Sequence, residues 1–225
     1  MLRIGHRGAM GYEPENTLRS FKKALQLGVD MIELDAMVCG SGEVVVFHDR
    51  YLKRTTNGRG SVSKKSLSDL KKLDVGEGEQ ISTLEEVLDV VNRKAKINID
   101  LKGKRVLAPT VRIIDDYVRT KGWRYDDFIL SSFDRAALRK TARLKQKIPI
   151  GVLVSTSTVR VLSFAKRINA YAIHVSRRLV SPKFVDDAHR KGFKILVWTI
   201  NDKSEIDYLK KIGVDGIFSD FPDRV

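Results

Sequence analysis

Two carboxylates, Glu33 and Asp35, stand two residues apart in the run MIELDAMVCGSGEVVVFHD, which extends from Met31 to Asp49. The run otherwise has the apolar content of a buried β-hairpin, and a buried carboxylate is costly unless something pairs with it. A spacing of two places both side chains on one face of a strand. Such a pair is either satisfied by Lys or Arg or offers hard oxygen ligands to Mg2+ or Ca2+. His48 ends the returning arm. A two-residue turn at Ser41-Gly42 makes paired positions sum to 83 and sets His48 opposite Asp35. That register gives His48 access to both acids. The plainer role for it is a hydrogen-bonded structural histidine.

The segment INIDLK repeats the pattern. Asn98, Asp100 and Lys102 share one strand face, with Ile97, Ile99 and Leu101 on the other. Asp100 is then a third oxygen ligand and Lys102 a cation beside an anionic substrate, unless the two are a plain ion pair at a strand end. The first apolar run closes on GHRG. His6 exchanges a proton near neutral pH, and Arg7 suits bidentate phosphate contact. Two histidines, three carboxylates, one Arg and one Lys describe metal-assisted phosphoryl chemistry. No Ser-His-Asp order or G-x-S-x-G elbow points to acyl transfer. Trp198 is divided between substrate contact and core packing. His174 shares a strand face with Ser176, toward the pocket, and His189 reads as a helix-surface residue. Asp49 suits a turn or a support for His48, while Glu15 and Asn16 suit a helix cap that braces the His6 loop.

These groups fall at the ends of β-like runs that alternate with helix-like ones. Strands are expected at Leu2–His6, Met31–Met37, Glu43–His48, Ile97–Leu101, Phe128–Ser131, Ile150–Val154, Ala172–Val175, Lys194–Thr199 and Gly216–Ser219. Thr17–Leu27 and Thr83–Arg93 read as amphipathic helices, the second opened by a Ser82/Glu85 capping box. Ser181-Pro182 has the order of an N-cap and first helical residue. Gly28, Gly192 and Gly213 each end a helix shortly before a strand. With Glu43–His48 set aside as a hairpin arm, eight strands remain, which predicts an α/β fold of the (β/α)8 TIM-barrel class. A doubly wound open sheet is the runner-up, but GHRGAMG lacks the G-x-G-x-x-G spacing. Residues 1–225 are expected to form a single catalytic barrel domain, with 51–80 a small polar insertion after the second strand.

Composition narrows the partners. Forty-two Lys and Arg against 28 Asp and Glu give a net charge of +14. Such a surface attracts nucleic acid, anionic membrane or phosphorylated small molecules. The interleaving of Glu and Asp with the basic residues favours a solvated basic surface instead, and no nucleic-acid-binding motif spacing is present. No apolar run approaches the length of a membrane span, so stable membrane insertion is not expected. His6 already lies in the first strand, leaving no room for a signal peptide, and Cys39 is the one cysteine. Both favour the cytoplasm.

The segments GHRGAMGYEPENTLRSFKKAL, IELDAMVCGSGEVVVFHDRYLKRTTNGRG, ISTLEEVLD, INIDLK, LSSFD and VWTINDKSEIDYLKKIGVDGIFSDFPD together resemble the glycerophosphodiester phosphodiesterase family, in the family's order and over nearly the whole chain. The resemblance implies a (β/α)8 barrel that hydrolyses a small-molecule glycerophosphodiester to an alcohol and glycerol 3-phosphate with a divalent metal ion, Mg2+ or Ca2+ and conceivably Mn2+. It makes His6 and His48 the acid/base pair and Glu33, Asp35 and Asp100 the metal ligands. Arg7 and Lys102 would hold the phosphate, and Trp198 would line the glycerol or leaving-group side. Two departures stand out: Asp100 occupies a position where the family usually has Glu, and the chain stops just after its last strand. The closing helix of the barrel is then missing or supplied by a neighbouring molecule in a homo-oligomer. Two rival functions are a phospholipase-D-like activity on lysophospholipids and a non-enzymatic basic barrel that binds nucleic acid or membrane.

Overall fold

The computed structural model describes residues 1–103, 105–144 and 147–225. Nine strands form one sheet: β1 (Leu2–Gly5), β2 (Met31–Val38), β3 (Val44–Val46), β4 (Lys96–Leu101), β5 (Phe128–Ser132), β6 (Ile150–Val154), β7 (Ala172–Ser176), β8 (Lys194–Trp198) and β9 (Gly216–Ser219). β1 pairs in parallel with both β2 and β9, so eight parallel strands close into a barrel. β3 lies outside it, antiparallel to β2. The expected (β/α)8 class is therefore the observed one, and the open doubly wound sheet is excluded.

The helices are α1 (Leu18–Gln26), α2 (Leu67–Leu70), α3 (Leu84–Val91), α4 (Leu107–Thr120), α5 (Arg135–Arg143), α6 (Val161–Arg167), α7 (Pro182–His189) and α8 (Lys203–Lys211). Alternate strand residues face outward and pack on them. Ile32, Leu34, Ile97, Ile99, Phe128 and Leu130 meet the buried faces of α1, α3 and α4. Ile173, Val175, Ile195, Val197 and Ile217 meet α5 through α8. The inward residues Ile4, Met31, Ile129, Ala172, Leu196 and Phe218 fill the barrel's lower interior. Fully burying each such side chain contributes about 1.5–3 kcal/mol. A third cluster lies apart, built from Val45 and Phe47 of the hairpin with Leu52, Val62, Leu70 and Ile81.

Three local expectations are corrected. The hairpin pairs Ala36 with Val46, Met37 with Val45 and Val38 with Val44, so paired positions sum to 82. The Cys39 N–H donates to the Glu43 carbonyl at 3.0 Å, leaving three loop residues, and Gly42 takes the left-handed φ of 109° that this loop requires. Phe47 rather than His48 thus bonds to Asp35, its N–H donating to the Asp35 carbonyl at 2.9 Å, and His48 lies beyond the ladder. Second, α3 is capped by Thr83 and Glu86, not Ser82 and Glu85. The Ser82 carbonyl is taken by the Val46 N–H at 2.8 Å, which ties the helix start to the hairpin. Third, Thr17 caps α1, and its hydroxyl accepts from the Ser20 N–H at 3.1 Å.

Among the described residues no α-helix follows β9, only the single 3-10 turn Pro222–Arg224. The loop after β1 occupies that corner: Tyr12 meets Phe221 edge-on at 5.2 Å, and the Gly11 N–H donates to the Asp220 carbonyl at 2.9 Å. Inside the barrel, a Cβ on Gly151 would meet the His174 ring at 2.5 Å, so this inward position admits only glycine. Gly151→Ala is expected to destabilise the protein by about 1–3 kcal/mol through overpacking. Urea unfolding of Gly151→Ala, His174→Ala and the double variant checks this. Additive losses would mean that the two residues do not share the space.

Candidate active site

The parallel register lines up the acids. Glu33 pairs with Asn98, and Asp35 with Asp100, which in turn pairs with Ser131. All point into the barrel near the C-terminal ends of their strands, where (β/α)8 proteins assemble their sites. Glu33, Asp35 and Asp100 are buried, and one oxygen from each lies within 4.8 Å of the others.

Cations and amides hold this cluster. The Lys102 ammonium lies 3.0 Å from Asp35 Oδ1 and also pairs with Asp100 Oδ2. Arg7 Nε lies 3.3 Å from Asp35 Oδ2, while Arg7 Nη1 donates to Glu15 Oε1 at 2.7 Å. The Arg7 backbone, turned into the left-handed region at φ 49°, donates its N–H to Glu33 Oε2 at 2.8 Å. Asn16 grips Asp35 twice: its amide donates to Oδ2 at 2.9 Å, and its carbonyl accepts from the Asp35 N–H at 3.2 Å. Asn16 therefore belongs to the acid cluster and not to a helix cap. Glu15 braces Arg7 and Arg54 together.

The electrostatics follow from this distribution. Burial, reinforced by the neighbouring Asp35 charge, pushes the Glu33 carboxyl up to about 7. Burial also pushes Asp100 up to about 6, with Lys102 opposing and Asp35 adding to the rise. Asp35 goes the other way: burial would raise it, but Lys102 and Arg7 together hold it below the usual carboxylate range. Asp100 Oδ1 is buried with no hydrogen-bond partner. Three close acids, two of them reluctant to ionise and one with an orphaned oxygen, have the donor set of a hard divalent cation site.

The two expected acid/base residues flank the cluster. His6 Nδ1 bonds Asp220 Oδ1 at 2.7 Å, and Asn201 donates to Asp220 Oδ2 at 2.6 Å. Burial would lower the His6 imidazole, but the Asp220 hydrogen bond and the Glu33 charge outweigh it and raise it above the ordinary value. His48 Nδ1 bonds Asp49 Oδ1 at 2.6 Å, and Arg54 engages the other Asp49 oxygen. In both histidines the Nδ1 position is committed to a carboxylate, so Nε2 is the nitrogen left to exchange a proton.

Trp198 is half-buried; its Nε1–H donates to the His174 carbonyl at 3.0 Å, and its ring meets Phe133 edge-on at 5.8 Å. His174 is fully buried, without hydrogen-bond partners for its ring nitrogens, and burial lowers it to about 3, so it is a neutral core residue. His189 pairs with Asp215 on the surface, at 2.7 Å. A cleft of about 870 Å3 opens from the cluster, lined by His48, Asp100 and Lys102 among others. The residues not anticipated are Asp220 with its Asn201 support, and the Asn16 grip on Asp35. Their signal lay in the strand-end words FSD, VWTIN and PENT, whose partners are far apart in sequence.

The chain matches the Glycerophosphoryl diester phosphodiesterase family over residues 6–224. It is 35% identical over 232 residues to the glycerophosphodiester phosphodiesterase of Caldanaerobacter subterraneus subsp. tengcongensis, covering 99% of this chain and 95% of that protein. It is 33% identical over 235 residues to the enzyme of that name from Bacillus altitudinis, covering 98% and 95%. Its structure is similar to that of a phosphodiesterase from Oleispira antarctica in complex with the product sn-glycerol-3-phosphate. The two have a TM-score of 0.92 and 33% identity, covering 98% of this chain and 93% of that one.

Without a bound cation, the raised acids make stability depend on pH. Glu33 and Asp100 have folded-state values near 7 and 6. Their contribution is therefore fully present below the unfolded carboxylate range and is lost as pH rises through 6 to 7. Metal-free protein is expected to lose on the order of 2 kcal/mol from these groups between pH 5 and 8. Glu33→Gln flattens much of that slope. Because ionised acids bind the cation, stabilisation by added Mg2+ or Mn2+ grows over the same range. Thermal unfolding across pH, with and without metal, checks both; identical slopes for wild type and Glu33→Gln would contradict the assignment.

Proposed function

The chain belongs to the glycerophosphoryl diester phosphodiesterase family and is a glycerophosphodiester phosphodiesterase, and from that premise we propose a metal-dependent hydrolysis run by two histidines. The observation that carries the reading is the cluster of Glu33, Asp35 and Asp100 between His6 and His48, each histidine held through Nδ1 by an aspartate. The residues fit a divalent cation, since Asp100 keeps a buried oxygen without a partner and the other two acids converge on it. Mg2+, Ca2+ or Mn2+ held there would supply Lewis-acid polarisation of the phosphate.

The chain's own groups do the rest. Arg7 and Lys102 orient the phosphate oxygens and keep their charge balanced against the acids. One imidazole Nε2 takes the proton from the attacking hydroxyl, either of water directly or of the glycerol 2-position; in the second case the cyclic glycerol phosphate that forms is opened by water, with proton transfers through the same two imidazoles and the 2-oxygen leaving phosphorus. The other gives a proton to the leaving oxygen as its bond to phosphorus breaks. Asp220 and Asp49 fix the tautomers for these transfers. The products are an alcohol and sn-glycerol 3-phosphate. Trp198 lines the mouth beside Phe133, where it would contact the substrate. We further read residues 1–225 as one catalytic unit with 51–80 as an insertion. Among the described residues no helix is long and apolar enough to cross a membrane, and the buried free thiol of Cys39 suits a cytoplasmic setting.

Release of glycerol 3-phosphate from glycerophosphocholine tests the reading. Chelator-stripped protein is expected to be inactive and to recover with Mg2+, Ca2+ or Mn2+. His6→Ala and His48→Ala should each lower kcat by about 10²–10⁴-fold, and Glu33→Ala should abolish recovery. Full activity in both histidine variants would remove them from the chemistry. Asp220→Asn should lower kcat roughly tenfold to a hundredfold with KM little changed, and shift the pH–rate limb owed to His6. An unshifted profile would make Asp220 merely structural.

A further inference from the structure

The cleft beside the acid cluster is larger than the reacting groups need. At about 870 Å3 it sits near the top of the range of small-molecule sites, about 300–1,000 Å3. Its inner end is Asp100 and Lys102, at the phosphate position, and His48 is in its wall. From there it runs outward between the hairpin and the loops after β4 and β5, past Arg50, Arg105 and Phe133. His6 and Trp198 are not part of its lining, so it lies to one side of the phosphate. A glycerol moiety would fill only a small part of it. The substituent that occupies the cleft is therefore the leaving alcohol.

Among the described residues of the outer cleft, cations outnumber acids, with Arg50 and Arg105 against Asp134. Lys102 is committed to Asp35 and Asp100. Arg50 and Arg105 are exposed, and among the described residues neither forms an ion pair; the Arg50 guanidinium lies 5.5 Å over the Tyr51 ring. The one acid of the outer lining, Asp134, is occupied in capping α5, accepting from the Ala136 N–H at 2.7 Å and the Ala137 N–H at 3.2 Å. Ser61 and Ser63, 3.1 Å apart, add hydroxyl donors. A quaternary ammonium would want an aromatic cage or free carboxylates, and this wall offers one aromatic ring, Phe133.

We infer that the cleft selects a leaving alcohol that itself carries a negative charge, with Arg50 and Arg105 as the specificity-determining cations. The inference rests on the phosphodiesterase reading above and names the substrate class of that same site. A second phosphate or a carboxylate on the alcohol is the matching chemistry, because a planar guanidinium donates to either in paired fashion.

Three diesters that differ in leaving-group charge test this in the metal-loaded enzyme: bis(glycerophospho)glycerol, glycerophosphoglycerol and glycerophosphocholine. Wild-type kcat/KM is expected to fall in that order, with the anionic diester favoured over the choline diester by about tenfold or more at low salt. The ratio should shrink as ionic strength rises. It should approach unity in Arg50→Ala/Arg105→Ala and invert in Arg50→Glu/Arg105→Glu. A ratio within one preparation does not depend on how much of a variant folds. Equal rates or a choline preference in wild type would overturn the inference, as would an anionic preference unchanged in the double variants. Hydrolysis of none of the three diesters would instead overturn the phosphodiesterase reading.

Discussion

Three carboxylates closed off from bulk water within a few ångströms of one another set the terms for everything around them. Like charges that close, in a medium of low dielectric, repel by many times what they would in water. The neighbouring cations do not fully cancel them. Lys102 is shared between Asp35 and Asp100, and Arg7 between Asp35 and Glu15. Burial raises Glu33 and Asp100 and the Asp35 charge adds to the rise, while Lys102 and Arg7 hold Asp35, at the centre of the pairing, down; the charge that remains is met by protons or by a cation. Much of the surrounding architecture supports this arrangement. The left-handed turn at Arg7 aims its N–H at Glu33, and Asn16 serves Asp35 from the same loop.

The two histidines are held alike in chemistry and unlike in origin. Each gives Nδ1 to an aspartate, but Asp49 is the next residue after His48, whereas Asp220 lies 214 residues from His6. One clamp is local and reinforced by Arg54 at the surface. The other is set in the closure of the barrel, more enclosed, with Asn201 as its second partner. The protein thus places one carboxylate-held histidine at the end of its hairpin and the other on its seam.

The pattern of the fold was readable because the strands carry outward apolar sets and several α/β joints, at Gly28, Gly192 and Gly213, carry a helix-ending glycine. The acids were readable for the same reason: Glu33, Asp35 and Asp100 violate an otherwise apolar alternation, and only a functional or paired site tolerates that. What escaped was whatever depends on a one-residue choice or on distant pairing. The hairpin loop takes three residues because Glu43, bonded by Cys39 and Ser41, closes it, and no local propensity announces that. The cap of α3 falls on Thr83 because Ser82 is claimed by the hairpin. Asn16 looks like a cap residue until the barrel brings Asp35 to it. Asp220 looks like a turn residue until β9 lies beside β1.

That last adjacency has a consequence for how the protein is made. His6 directly follows β1, the first of the barrel strands to leave the ribosome, and Asp220 directly follows β9, the last of the barrel strands. The three clustered acids and the His48 arm are all present once β4 and the loop after it have emerged. β1 has no partner on one edge until β9 has emerged. A nascent chain therefore exposes the free edge of β1 until β9 emerges, and the bond between His6 and Asp220 forms only with that late pairing. That bond is thus a signature that the first and last strands of the barrel have met.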